Sequence, residues 1–258
     1  MRKRATVAIL SGVLAISTLA APAALADQHI GDTKITKVVV NGGQPIVLGT
    51  ANPKKVVISV TGSDPKGIND GIAFLWHGNS VDSADGFAGP TAEHGTCKKL
   101  SSTSSSCSVS ITIDPKSDLY ANTLAGYWKV FAGAQGKDSD FITKDAYTSV
   151  KVQRAAGLTV NASPEPVAKN GTITVTGRFT RADWQTHGYS PFGGQSVRLQ
   201  FKKTGTSTWT TVKWVKSTST GYLTTTAKAT ADGNWRYSFD GVSSTPAVAS
   251  TPDWVDVK

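Results

Sequence analysis

The sequence predicts an all-β fold of two tandem antiparallel β-sandwiches. Three observations lead there. Beyond residue 26 the 258-residue chain is rich in Thr, Ser, Val and Gly, and its one Met is the initiator. That composition favours strands over helices. Apolar and polar residues alternate in short runs separated by turn formers, the pattern of half-buried strands. Four landmarks occur twice in the same order, which points to a duplicated unit.

The first pair of landmarks is Val38-Val39-Val40-Asn41 and Leu158-Thr159-Val160-Asn161. The second is the run Val56 to Gly62, ending Val60-Thr61-Gly62, and the run Thr172 to Gly177, ending Val175-Thr176-Gly177. The third is Gly126-Tyr127-Trp128 and Gly233-Asn234-Trp235, and the fourth is a closing strand, Tyr147 to Val152 and Asp253 to Lys258. Similar spacings between them predict two units of one fold, spanning 27–153 and 158–258, with a short linker from Gln153 to Gly157.

In the second unit the strands are centred on Leu158, Ile173, Val197, Val212, Leu223, Tyr237 and Val255. Ile173 and Val175 point one way and the flanking threonines the other. Val197, Leu199 and Phe201 are expected to point inward. Val212 and Trp214 share one face of the run from Trp209 to Lys216, and core packing is expected for both Trp214 and Trp235. Gly205, Gly221 and Gly233 fall where turns are needed. About seven strands in about 100 residues is the density of an immunoglobulin-like sandwich.

Residues 1–26 read as a signal peptide. Arg2, Lys3 and Arg4 precede an apolar run from Ala5 to Ala20, and Ala24-Leu25-Ala26 is a small-x-small cleavage site. Cleavage would leave a mature chain from Asp27 with no membrane span. Neither a lipid-anchoring cysteine nor a wall-sorting tail is visible, so a secreted, extracellular protein is expected. Cys97 and Cys107, the two cysteines of the chain, are then expected to form a disulfide clipping a hairpin or loop.

The formal charge is +9, and removing Arg2, Lys3 and Arg4 leaves 9 − 3 = +6. Residues 27–153 carry 12 Lys and Arg against 12 Asp and Glu, whereas 154–258 carry 12 against 6. All of the excess therefore lies in the second half. A basic unit outside the cell suits wall polyanions or acidic polysaccharide. Nucleic acid is disfavoured by export and by the lack of a dense Lys/Arg cluster.

The second half resembles immunoglobulin-like modules of exported bacterial proteins. The likeness rests on Val175-Thr176-Gly177, Gly194 to Leu199, Trp209 with Val212, Gly221-Tyr222-Leu223 and Gly233 to Arg236. It looks most like secreted proteins of high-GC Gram-positive (actinobacterial-type) bacteria, which often bear the label "calcium-binding protein". The resemblance covers about residues 158–258. It implies the fold and, through the label alone, a calcium ion.

For calcium, Asp138, Asp140 and Asp145 form the best local group of carboxylates. Ile142 and Thr143 stand where an EF-hand needs an oxygen ligand and a glycine, so the group is not that motif. Asp82 with Asp85, and Asp64 with Asp70, are further candidates that sandwich loops could combine. For organic ligands, the segment Arg181 to Phe192 lacks strand alternation and reads as an aromatic loop. Trp184, His187, Tyr189 and Phe192 could stack on sugar rings or peptide there, or could fold back over an open sandwich end.

No catalytic motif stands out. There is no Gly-x-Ser-x-Gly elbow, no His-Glu-x-x-His and no phosphate loop. The expected function is therefore a non-catalytic binding or structural module, with an extracellular polysaccharide, a cell-wall polymer or a protein as partner. The alternatives are a protease inhibitor presenting the Cys97–Cys107 segment and a secreted hydrolase or its accessory domain.

Overall fold

The computed structural model describes residues 27–258; the expected signal peptide, residues 1–26, lies outside the described residues. In chain order the strands of the first half are β1 (Gln28–Ile30), β2 (Lys34–Val40), β3 (Ile46–Leu48), β4 (Lys54–Ser63), β5 (Ile68–His77), β6 (Gly86–Ala88), β7 (Thr96–Lys99), β8 (Ser104–Ile113), β9 (Gly126–Gly136) and β10 (Phe141–Arg154). Those of the second are β11 (Ala156–Leu158), β12 (Asn161–Ser163), β13 (Gly171–Asp183), β14 (Gly188–Pro191), β15 (Ser196–Lys203), β16 (Thr210–Lys216), β17 (Tyr222–Ala229), β18 (Gly233–Phe239), β19 (Val248–Ala249) and β20 (Asp253–Val255). Among the described residues the helical elements are two 3-10 turns, Asn41–Gly43 and Asn122–Leu124.

Each half stacks two sheets. In the first, the order β2-β4-β8-β7 faces β10-β9-β5-β6, and β3 adds a parallel pairing to β10. In the second, β11 and β12 flank β13, which pairs with β17, opposite β16-β15-β18 with β19 and β20. In both halves the strand that carries the Val-Thr-Gly landmark, β4 or β13, lies with its partners in one sheet, and the strand that carries the Gly-x-Trp landmark, β9 or β18, lies in the other. That order is the immunoglobulin-type arrangement.

The repeated landmarks take equivalent places. Val56–Gly62 and Thr172–Gly177 lie in β4 and β13. Trp128 and Trp235 lie in β9 and β18 and are 0% and 2% exposed. The closing segments pair with those strands in β10 and β20. Alternation explains the packing: Val56, Ile58 and Val60 point in from β4, and Ile173 and Val175 from β13. One cluster of buried side chains fills the first half and another the second.

The linker is shorter than expected. Gln153 and Arg154 end β10, and β11 begins at Ala156, so Ala155 alone separates the strands. Both Gln153 and Arg154 are buried.

β16 corrects one expectation. Val215, not Val212 or Trp214, is its inward residue; Trp214 is 56% exposed and Val212 45%. The cause is the register of β16 on β15, which sets Val215, not Trp214, against the inward side chains of β15; a bulge between Lys213 and Thr211 then leaves Val212 unpaired. Val215 opposes the buried Val197, so Trp214 opposes Arg198 on the outer face. Gly233 likewise begins β18 rather than sitting in a turn; a Cβ there would stand 2.4 Å from the Lys202 carbonyl oxygen. Gly205 and Gly221, both at φ 78°, do occupy turns.

Candidate binding surfaces

Residues 181–192 form a hairpin, not an irregular loop. β13 runs to Asp183 and pairs with β14 from Thr180↔Pro191 to Asp183↔Gly188. The hairpin projects from the second half onto the first. Trp184 is 0% exposed and belongs, with Ala182, to the first half's core. Its indole Nε1 donates to the Gly49 carbonyl at 3.0 Å, and its backbone N–H donates to Asn122 Oδ1 at 2.9 Å. Phe192 is 6% exposed and packs in the other core, 5.0 Å from the Phe179 ring and 5.8 Å from Phe239.

The four residues expected to form a stacking platform are therefore divided. Trp184 and Phe192 fill two separate cores and offer no open ring face. Tyr189 and His187 are exposed at the hairpin. The physical reason is burial: two large rings gain more by completing cores than by facing water.

Polar groups lock the same junction. Arg154 Nε donates to the Ala182 carbonyl at 2.5 Å, and Gln153 Nε2 to the Val242 carbonyl at 2.8 Å. Burial, then the neighbouring Arg181, lowers the Arg154 guanidinium to about 10. The Asp183 carboxyl is held well below its ordinary range. Its largest cause is the Asn122 amide, which donates at 3.0 Å; Ser190 and the Thr186 and Gln185 backbone N–H groups add to it against the opposing effect of burial. An open cleft of about 450 Å³ lies beside this junction, with Lys151 and Asp240 as its charged lining.

The acidic groups regroup. Asp138 and Asp140 lie in the β9–β10 turn, but Asp145 sits within β10, away from them. Burial raises the Asp145 carboxyl first, followed by the charges of Asp27 and Asp82. Asp140 instead meets Asp32 and Asp64, with one oxygen of each within 4.8 Å of the others. Three turns at one end of the sandwich supply them. Asp140 Oδ2 accepts from the Asp32 backbone N–H at 3.0 Å, and Asp64 Oδ2 from the Thr33 hydroxyl at 2.6 Å. Gly136 makes room: a Cβ there would stand 2.5 Å from Asp64 Oδ2 and 2.8 Å from Asp138 Oδ1. Asp70 and Asp85 leave the group and pair with His94 at 2.6 Å and His77 at 2.5 Å.

Cys97 and Cys107 form the expected disulfide, at directly opposed positions of β7 and β8. The clip therefore closes a hairpin.

A different surface lies on the second half, where Lys202 and Lys216 give a basic strand face with Trp209 nearby. On the outer face of β15, Arg198, Gln200 and Lys202 oppose Ser238, Arg236 and Asn234 of β18. Trp214 opposes Arg198, Lys216 opposes Ser196, and Trp254 of β20 opposes Asn234, so all share that face. Trp209 joins them beneath the Arg236 guanidinium, 3.9 Å from the ring centroid, with Lys202 at 5.1 Å. Trp214 is 56% and Trp254 43% exposed. Arg236 Nε donates to Gln200 Oε1 at 2.9 Å, and Arg198 pairs with Asp240. Tryptophans of β16 and β20 come onto one face only through the pairing of β15 and β18 between them, which is why no local motif marks the pair.

No protein-family model matches the chain, and no curated protein matches it. Among solved structures it is similar to the D00–D0 domain of Intimin, at 14% identity and a TM-score of 0.29 over 85% of this chain and 99% of that one. It is also similar to a chimeric titin Z1Z2, at 12% identity and 0.25 over 90% and 98%. The ectodomain of mouse nectin-like molecule 4 follows, at 11% and 0.24 over 87% of this chain and 63% of that one. The sandwich assignment rests on strand order and not on these likenesses.

Proposed function

We propose that the chain is a non-catalytic module that acts outside the cell, a tandem pair of immunoglobulin-like sandwiches held as one rigid binding scaffold. The observation that carries this reading is Trp184, a residue of the second half that completes the core of the first. A scaffold locked in this way presents surfaces from both halves in fixed relation. Its partner is an extracellular polysaccharide, a wall polymer or a protein. The disulfide supports an oxidising compartment, and among the described residues no helix is long and apolar enough to cross a membrane. The test is mass spectrometry of protein recovered from culture medium. A chain beginning at Asp27 with oxidised cysteines supports export; a chain found only in the cytoplasm with free thiols removes it.

A resident calcium ion is a second reading, favoured by the convergence of Asp32, Asp64 and Asp140 within 4.8 Å. Three carboxylates that close repel one another, and a cation would relieve the repulsion. Thermal unfolding in millimolar calcium and in chelator decides it. Calcium at a hundred times its dissociation constant would add about 2.7 kcal/mol. A rise absent with magnesium and absent in Asp64→Asn supports the site; an unchanged midpoint removes it.

A further inference from the structure

We infer that the outer face of β15, β16, β18 and β20 is a binding site for an acidic, carboxylate-bearing polysaccharide. Three tryptophans and four cations line it: Trp209, Trp214 and Trp254 with Lys202, Lys216, Arg236 and Arg198, the last already paired with Asp240. The site is separate from the hairpin that clamps the halves and from the acidic turns.

Shape selects the ligand first. Trp214 and Trp254 keep much of their surface in water, although burying an indole is worth far more than leaving it exposed. The face is an open sheet, not a pocket, so it suits an extended chain rather than a small molecule. The Arg198 and Lys202 rungs are four residues apart along β15, about 13 Å at a strand rise of about 3.3 Å. Trp254 stands two strands from Lys202, about 10 Å away. Several sugar rings are needed to touch all three indoles. The C–H face of a pyranose lies flat against the electron-rich face of an indole.

Charge selects second. The second half carries all of the mature chain's excess, 12 Lys and Arg against 6 Asp and Glu. Lys202 flanks Trp209 and Lys216 lies one rung beyond Trp214. The cations also anchor the aromatics: Arg236 covers one face of Trp209, and Arg198 lies 5.8 Å from the Trp214 centroid. Alternating ring and cation matches a polymer whose every sugar offers both an apolar face and a carboxylate. Guanidinium forks and carboxylates also match in geometry.

Affinity electrophoresis of the purified protein in polygalacturonate gels, with chelator present to silence the acidic turns, tests the site independently of export. Retardation by polygalacturonate and none by neutral dextran is expected. Trp214→Ala should weaken it about tenfold, the loss typical of an interface anchor. The double variant Lys202→Gln, Lys216→Gln should weaken it and flatten its salt dependence. All three side chains are at the surface, so thermal midpoints should not move; should Trp214→Ala disturb folding, the double variant still decides. No retardation, or retardation that neither variant weakens, overturns the site. Tighter binding of dextran sulfate or single-stranded DNA than of polygalacturonate also overturns it, reducing the face to a general anion surface.

Discussion

Trp184 Nε1 donates a 3.0 Å hydrogen bond to the carbonyl of Gly49, across 135 residues of sequence and between the two halves of the chain. The donor belongs to the hairpin of one sandwich, and the acceptor lies between β3 and β4 of the other. A fully buried indole that finds both a core and a hydrogen-bond partner is a fixed joint.

Acid should loosen that joint first. The Asp183 carboxyl is depressed, chiefly by the Asn122 amide, so it stabilises the fold fully above the ordinary carboxylate value near 4. That contribution is lost as pH falls from there toward the folded-state value. Asp183→Asn should therefore lower stability at pH 7 and make the decline below about pH 4 shallower. Urea unfolding of both proteins between pH 7 and pH 2 measures it; parallel curves would show that Asp183 is not a protonation-linked contact.

Asp145 works in the opposite sense. Burial raises its carboxyl, and its Oδ1 is buried without a hydrogen-bond partner. A raised acid favours the fold when protonated and disfavours it as pH rises through its titration. Asp145→Asn should raise the thermal midpoint at pH 7, and the gain should vanish at pH 3. A lower midpoint at pH 7 would mean that the charge is held by a contact that favours it.

Reducing Cys97–Cys107 should weaken the first half directly and, through the Trp184 joint, the second half with it. The pair is separated by 10 residues, and closing a loop of that size is worth about 3 kcal/mol. Denaturant unfolding of the double Ser variant, followed by amide exchange in β8 and in β13, should show faster exchange in both strands; exchange that quickens in β8 alone would mean that the halves open separately.

Much of the fold is legible in sequence because local pattern and burial agree. The alternation at Ile173 and Val175, the repeated glycine-tryptophan landmarks and the cysteine pair all keep their expected places. The facing of Trp214 is not legible locally, because either parity of Trp209 to Lys216 is plausible and only the pairing of Val197 with Val215 fixes which face is inside. The hairpin at Trp184 is not legible locally, because Arg181 to Phe192 is polar and aromatic without alternation and the partners of Trp184, Gly49 and Asn122, lie far away in sequence. Asp140 meets Asp32 and Asp64, which come from turns distant in sequence, so the local group of Asp138, Asp140 and Asp145 does not mark the cluster. The outer aromatic face has no local signal, since β15, β16, β18 and β20 supply it jointly.

Differential scanning calorimetry of the protein and of Trp184→Ala tests the rigid-joint claim most directly. The intact protein should unfold in one coupled transition, with a van't Hoff enthalpy above that of either half alone. Removing a buried tryptophan costs about 3–5 kcal/mol, so the variant should show a first-half transition at lower temperature, separated from the second. Two independent transitions in the intact protein, unmoved by Trp184→Ala, would contradict it and leave two sandwiches joined only by Ala155.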